Sequence, residues 1–129
     1  MYAKIGKFFE FEAAHFLPNH DGKCRNLHGH TYRLEVEVYG EVSAIRGKTD
    51  DGMVIDFGVV SKLVKTDIIE KFDHQLLNDF FQCPTAETLA AYVWRTIAPN
   101  LPPNIFLSRV RLFETSNSYA EIGPADALS

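Results

Sequence analysis

Cys24-Arg25-Asn26-Leu27-His28-Gly29-His30-Thr31-Tyr32-Arg33-Leu34-Glu35-Val36-Glu37-Val38 reads as a loop that runs into a strand. Tyr32, Leu34, Val36 and Val38 share one parity, and Thr31, Arg33, Glu35 and Glu37 share the other. That alternation is the period of a strand with one dry face and one wet face. His28 and His30 lie at i and i+2, so both project to the dry face, ahead of its aliphatic residues. Two imidazoles at the end of an apolar row require an explanation.

The neighbouring stretches extend the pattern. Ile5 to His15 alternates as well, with Ile5, Phe9, Phe11, Ala13 and His15 on one parity and Lys4, Glu10 and Glu12 on the other. A Pro/Asn/Asp/Gly-rich loop, Leu17 to Asn26, joins this strand to the next. Beyond a polar connection from Gly40 to Gly52, Met53 to Ile55 reads as a short strand. Asp56 then caps a helix to about Phe72, with Val60, Leu63, Val64, Ile68 and Phe72 at helical spacing. A second helix runs from an N-cap at Thr85 to about Ala98, with Leu89, Val93 and Ile97 as its stripe. Ile105 to Glu114 is a strand with Phe106, Val110, Leu112 and Glu114 on one parity; Ser118 to Ile122 returns along it.

The order ββααββ with short links predicts an α+β domain over 1–122, a four-stranded antiparallel sheet with two helices on one face. Residues 123–129 are expected to fray.

Composition narrows the function. The chain has 129 residues, 46% hydrophobic and 23% charged, enough to bury a core without disulfides. Its only cysteines, Cys24 and Cys83, do not make a disulfide framework, which favours a reducing compartment. A net charge of -4 without a Lys/Arg stripe argues against nucleic acid. Charges interrupt the N-terminal segment, and no apolar run reaches the ~20 residues of a membrane span. A cytoplasmic location is expected. There is no Gly-rich phosphate loop.

Pairing of the first two strands would bring His15 beside His28 and His30. Three histidines with an open fourth position form a catalytic zinc arrangement, whereas four closed ligands form a structural one. The ordinary alternative is core or edge histidines bonded to backbone. Cys24, in the loop before His28, is either a fourth ligand or a free thiol near the metal, able to act as base or nucleophile. Asp73-His74 follows the first helix; adjacency works against the usual orienting hydrogen bond between them, and a His at a helix C-terminus is also favoured by the dipole. Glu114 ends a strand on the apolar parity, where a carboxylate needs a partner and can grip a ligand's N–H/NH₂ pair in bidentate fashion. A cupin-like reading of His28, His30, Glu35 and Gly40 fails, because no turn brings Glu35 back to the histidines.

Taken together, the motifs resemble the 6-pyruvoyltetrahydropterin synthase / 6-carboxytetrahydropterin synthase family from Phe8 to about Ile122. The carriers are FEAAH ending at His15, C-x₃-H-G-H from Cys24 to His30, VIDF from Val54, DHQLLN from Asp73 to Asn78, PTAET from Pro84, and FET from Phe113. The resemblance implies Zn²⁺ held by His15, His28 and His30, with Cys24 as general base/acid and Asp73 and His74 as a second catalytic pair. It further implies Glu114 as the pterin anchor, assisted by Thr85. The implied architecture is the tunnelling fold, assembled as a homohexamer of stacked trimers with active sites at subunit interfaces. The x₃ spacing and EAAH-x-LP resemble the bacterial branch of 7-deazaguanine (queuosine) biosynthesis. That branch converts 7,8-dihydroneopterin triphosphate to 6-carboxy-5,6,7,8-tetrahydropterin, acetaldehyde and triphosphate. The alternatives are the pyruvoyl-forming branch and a non-catalytic protein whose assembly zinc stabilises. Lys23, Arg25 and Arg33 lie near enough in sequence to meet a triphosphate.

Overall fold

The computed structural model describes residues 1–128; Ser129, the end of the expected tail, lies outside the described residues. In sequence order the strands are β1 (Tyr2–His15), β2 (His28–Glu41), β3 (Gln75–Leu76), β4 (Phe106–Thr115) and β5 (Ser118–Ile122). The helical segments are α1 (Phe57–Val64), α2 (Glu70–Phe72) and α3 (Ala86–Ile97), with short 3₁₀ turns between elements.

β1 and β2 pair antiparallel from end to end, placing His15 opposite His28 and Ala13 opposite His30. Phe9, Phe11 and Ala13 from β1, with Tyr32, Leu34, Val36 and Val38 from β2, are buried on one face, as the alternation requires. β4 adds to the other side of β2 and β5 to β4, both antiparallel.

The sheet has five strands in the order β3-β1-β2-β4-β5, and β3 is parallel to β1. This corrects the four-stranded antiparallel expectation. Two residues are too few to show alternation; β3 forms because the Asp73-His74 turn is tied to β1. The strand expected at Met53–Ile55 is also absent among the described residues. There the backbone forms a loop in which the Ser43 N–H donates to the Met53 carbonyl (2.8 Å), while Val54 and Ile55 turn into the core.

α1 starts where the Asp56 carboxylate accepts from the Gly58 N–H (2.7 Å). The helical path to Phe72 passes through a π turn, Lys65–Ile69, and still buries Val60, Val64, Ile68 and Phe72. α3 starts at Thr85, whose Oγ1 accepts from the Thr88 N–H (3.2 Å), and buries Leu89, Ala90, Val93 and Ile97. The helical run 57–72 and α3 cover the dry face of the sheet, leaving Phe8, Arg33, Glu35, Tyr39 and Tyr119 on the uncovered one. Glu35 indeed points away from the histidines, held by Arg33 (3.3 Å) and Arg111 (3.7 Å).

β4 departs from simple parity twice. Glu37 faces Arg109 while Val38 faces Leu107, so Ser108 is an extra residue. Leu107 is therefore 5% exposed and Phe106 61% exposed, reversing the side expected for Phe106. A second irregularity between Phe113 and Thr115 leaves Glu114 without a partner on β5. Residues 123–128, expected to fray, include a 3₁₀ turn at Asp126–Leu128 that the Asp126 carboxylate ties to the Gly123 N–H (2.8 Å).

Phe72 is fully buried and edge-packed by Phe80 and Tyr92 at 5.2 and 5.4 Å. Phe72→Ala should lower stability by about 3–5 kcal/mol. Ile45→Ala, at an exposed loop position, should change it by no more than about 0.5 kcal/mol. Denaturant midpoints of the two variants check both.

Candidate active site

The β1–β2 register carries three imidazoles to one end of the sheet. Their candidate ligand nitrogens, on His15, His28 and His30, lie within 4.8 Å of one another. His15 is 1% exposed, and the other two are partly buried.

Backbone carbonyls fix two of the rings. His15 Nδ1 lies 2.8 Å from the Pro84 carbonyl and His28 Nδ1 2.7 Å from the Asn26 carbonyl. A carbonyl only accepts, so each Nδ1 carries the hydrogen and each Nε2 presents a lone pair. Those two Nε2 atoms face each other at 3.0 Å. Two neutral acceptors at that distance repel unless a proton or a cation lies between them. The His30 Nε2 is buried with no hydrogen-bond partner among the described residues. Burial lowers its pKa, reinforced by the other two histidines and opposed by Glu114, so the ring favours its neutral, ligating form. Carbonyl-oriented imidazoles with converging lone pairs suit a zinc ion, and these residues fit one.

Cys24 sits in the 3₁₀ turn Lys23–Arg25, partly buried, and its carbonyl accepts from the Leu17 N–H (2.9 Å). Its sulfur is not among the converging ligand atoms, so three protein ligands come together here rather than four.

Asp73 and His74 form their own unit. His74 has φ 61°, an uncommon left-handed conformation for a non-glycine residue. In this turn His74 Nδ1 comes within 3.0 Å of the Asp73 carboxylate. The adjacency that argued against such a bond is overcome by the positive φ. The second Asp73 oxygen accepts from the Glu12 N–H (2.9 Å), and the His74 N–H donates to the Glu12 carbonyl. The Glu12 N–H, then His74, hold the Asp73 carboxyl below the usual range. The His74 side chain is 76% exposed and lines an open cleft of about 530 Å³ with Glu12, Gly29 and Thr31. No hydrogen bond joins the pair to Cys24 among the described residues.

Glu114 is partly buried, with no hydrogen-bond or ion-pair partner among the described residues. Thr85 spends its hydroxyl on Thr88, as the α3 cap. Arg33 lies on the uncovered face, over the Phe8 ring at 4.3 Å and paired with Glu35, away from the histidines.

Four contributors were not legible as single residues: the carbonyls of Asn26 and Pro84, the Tyr32 hydroxyl and Asn78. Asn78 accepts from the Phe16 N–H (2.9 Å) and donates to its carbonyl (2.8 Å), clasping the residue after His15. The motifs ending at Asn78 and starting at Pro84 were the only signal.

Fold and site define the class: an α+β protein with its helices on one face of the sheet and a three-histidine pocket at the sheet's end. A family model described as 6-pyruvoyl tetrahydropterin synthase matches residues 4–125, and the chain belongs to that family. The 6-carboxy-5,6,7,8-tetrahydropterin synthase of Haemophilus influenzae is 35% identical over 140 residues, covering 92% of this chain and 96% of that one. The protein of the same name from Synechocystis is 39% identical, covering 90% and 89%. The structure of Caenorhabditis elegans 6-pyruvoyl tetrahydropterin synthase superposes with a TM-score of 0.80 at 26% identity, over 95% of this chain and 96% of that one. Tetrahydropterin synthases are lyases, and membership places the chain in that class of enzyme.

Purified protein titrated with zinc should take up a single ion per subunit, and His28→Ala should abolish that uptake while Cys24→Ala leaves it intact. Uptake should weaken as the pH falls through the imidazole range, where protons compete for the ligands. Metal analysis after dialysis, at several pH values, measures both.

Proposed function

We propose that the protein is a zinc-dependent lyase that converts 7,8-dihydroneopterin triphosphate and one water to 6-carboxy-5,6,7,8-tetrahydropterin, acetaldehyde and triphosphate, in cytoplasmic 7-deazaguanine (queuosine) biosynthesis. The observation that carries this reading is the opposed pair of Nε2 lone pairs on His15 and His28, with the His30 Nε2 beside them lacking a partner. When bound, zinc supplies Lewis acidity that lowers the pKa of substrate hydroxyls.

The protein's own residues do the rest. The Cys24 thiol acts as general base and acid, moving a proton at a carbon of the substrate's side chain. Asp73 orients His74, and that pair is the second proton-transfer group. Its exposure in the single subunit fits a site shared between subunits of a homohexamer, with Asp73 and His74 serving the Cys24 of a neighbour. The Glu114 carboxylate holds the N–H/NH₂ edge of the pterin, keeping the reacting carbon near the thiol. Thr85 assists from the start of α3. Of the three cations near Cys24 in sequence, Arg33 pairs with Glu35, and the exposed Lys23 and Arg25 in the Cys24 turn are assigned to the triphosphate in this reading.

The test is turnover of dihydroneopterin triphosphate by zinc-loaded protein with both products identified. Acetaldehyde with a 6-carboxy pterin is the expected result. A pyruvoyl product without acetaldehyde would assign the protein to the other branch, and no reaction by zinc-loaded protein would sink the lyase reading. Cys24→Ala should keep its zinc and lose about 10²–10⁴-fold in turnover. Loss of zinc from that variant would instead mark a closed structural site. Glu114→Ala should act mainly on pterin binding.

A further inference from the structure

Tyr32 is fully buried at the base of the histidine pocket. Its ring stacks on Phe11 (centroids 5.1 Å apart) and meets His15 and His30 edge-on at 6.1 and 5.5 Å. Its hydroxyl lies 3.3 Å from His15 Nδ1.

The hydrogens at that contact can be assigned. His15 Nδ1 must carry one, because the Pro84 carbonyl 2.8 Å away can only accept. An N–H cannot accept in turn, so the Tyr32 oxygen is at most a second acceptor there. The phenol's own hydrogen is left over, and a buried O–H requires an acceptor.

The register points to one. The β2–β4 ladder ends with Arg33 opposite Phe113, so Tyr32 precedes the last paired residue of β2 and Glu114 follows that of β4, at the same end of the sheet. The Glu114 carboxylate lacks a partner among the described residues, and its charge acts on both Tyr32 and His30. A donor without an acceptor and an acceptor without a donor thus lie at the same end of the β2–β4 pair.

We infer that the Tyr32 hydroxyl donates to the Glu114 carboxylate through one bridging water, and so ties this acid to the metal ligand His15. Tyr32 is then a positioning residue, and the inference rests on the reading of Glu114 as the pterin anchor. A carboxylate has about four lone-pair sites, so a bond from that water leaves enough for a bidentate grip on the ligand. It also fixes which of them face it.

The experiment is a double-mutant cycle on zinc-loaded enzyme, with dihydroneopterin triphosphate as substrate. Tyr32→Phe keeps the stacked ring and should raise KM about tenfold, with the larger part of the loss in KM rather than kcat. Glu114→Gln should raise KM as well, and the double variant should be no worse than the poorer single one. A wild-type KM in Tyr32→Phe, or losses that multiply, would overturn the inference. Should Tyr32→Phe fold poorly, the Cζ resonance of isotope-labelled Tyr32 decides it in otherwise native protein. Glu114→Gln should move that resonance; an unmoved one overturns the pairing. This second readout needs no turnover, so failure of the lyase reading would be seen separately.

Discussion

Two lone pairs aimed at each other across 3.0 Å, on His15 and His28, are the constraint on which the rest of the site depends. They meet because the paired strands end together, His15 opposite His28, after a ladder that begins at Tyr2 and Glu41. A slip of one residue would move every core side chain of one strand to solvent and separate the imidazoles in the same step. The burial of Phe9, Phe11, Leu34 and Val36 therefore fixes the register, and the register fixes the ligand geometry. Fold and site are specified by the same alternation, which is why two histidines can occupy the end of an apolar row.

Regular structure brings the histidines together, and irregular structure places Glu114 and the Asp73–His74 pair, the groups proposed to act beside them. Glu114 lies at an irregularity between β4 and β5, where a bulge re-aims a side chain. His74 takes a left-handed backbone so that its ring can reach the preceding carboxylate. Strained or irregular positions persist where surrounding contacts over-determine them. For His74 those contacts are its own N–H to Glu12, the Asp73 clasp on Glu12, and the two-residue strand that follows. Asn78 closes the far end of the same segment on Phe16. The segment 73–78 is thus laced along the last residues of β1, beside His15.

These two kinds of placement explain what the sequence could reveal. The two long strands, the buried helix stripes and the His15/His28/His30 convergence follow from periodicity, the caps at Asp56 and Thr85 from residue type, and all are legible in the sequence. β3 was not, because two residues carry no period. Phe106 was misplaced because the inserted Ser108 reverses parity without altering the composition of β4. Carbonyl contributions from Pro84 and Asn26 are invisible in principle, since every residue has a carbonyl and only the fold selects which one meets an imidazole. The Asp73–His74 bond was misjudged because a positive φ at histidine has no sequence signal comparable to glycine.

The carbonyl-held rings also say something about the metal-free protein. Holding two imidazoles by Nδ1 leaves their Nε2 atoms no neutral arrangement in which both are satisfied by each other without a proton or a cation between them. A third ring, His30, offers a buried nitrogen without a partner among the described residues. Each of these groups costs the folded state something when nothing binds, in the range of a buried unsatisfied acceptor, about 1–3 kcal/mol. Pro84 and Asn26 oppose relaxation, because turning either ring away would break its hydrogen bond. The sheet end is thus arranged at some expense to its own stability, and a cation bound there as proposed would relieve both the lone-pair repulsion and the orphaned nitrogen. Under the proposed zinc binding, metal affinity and folding stability would be linked through the same three side chains.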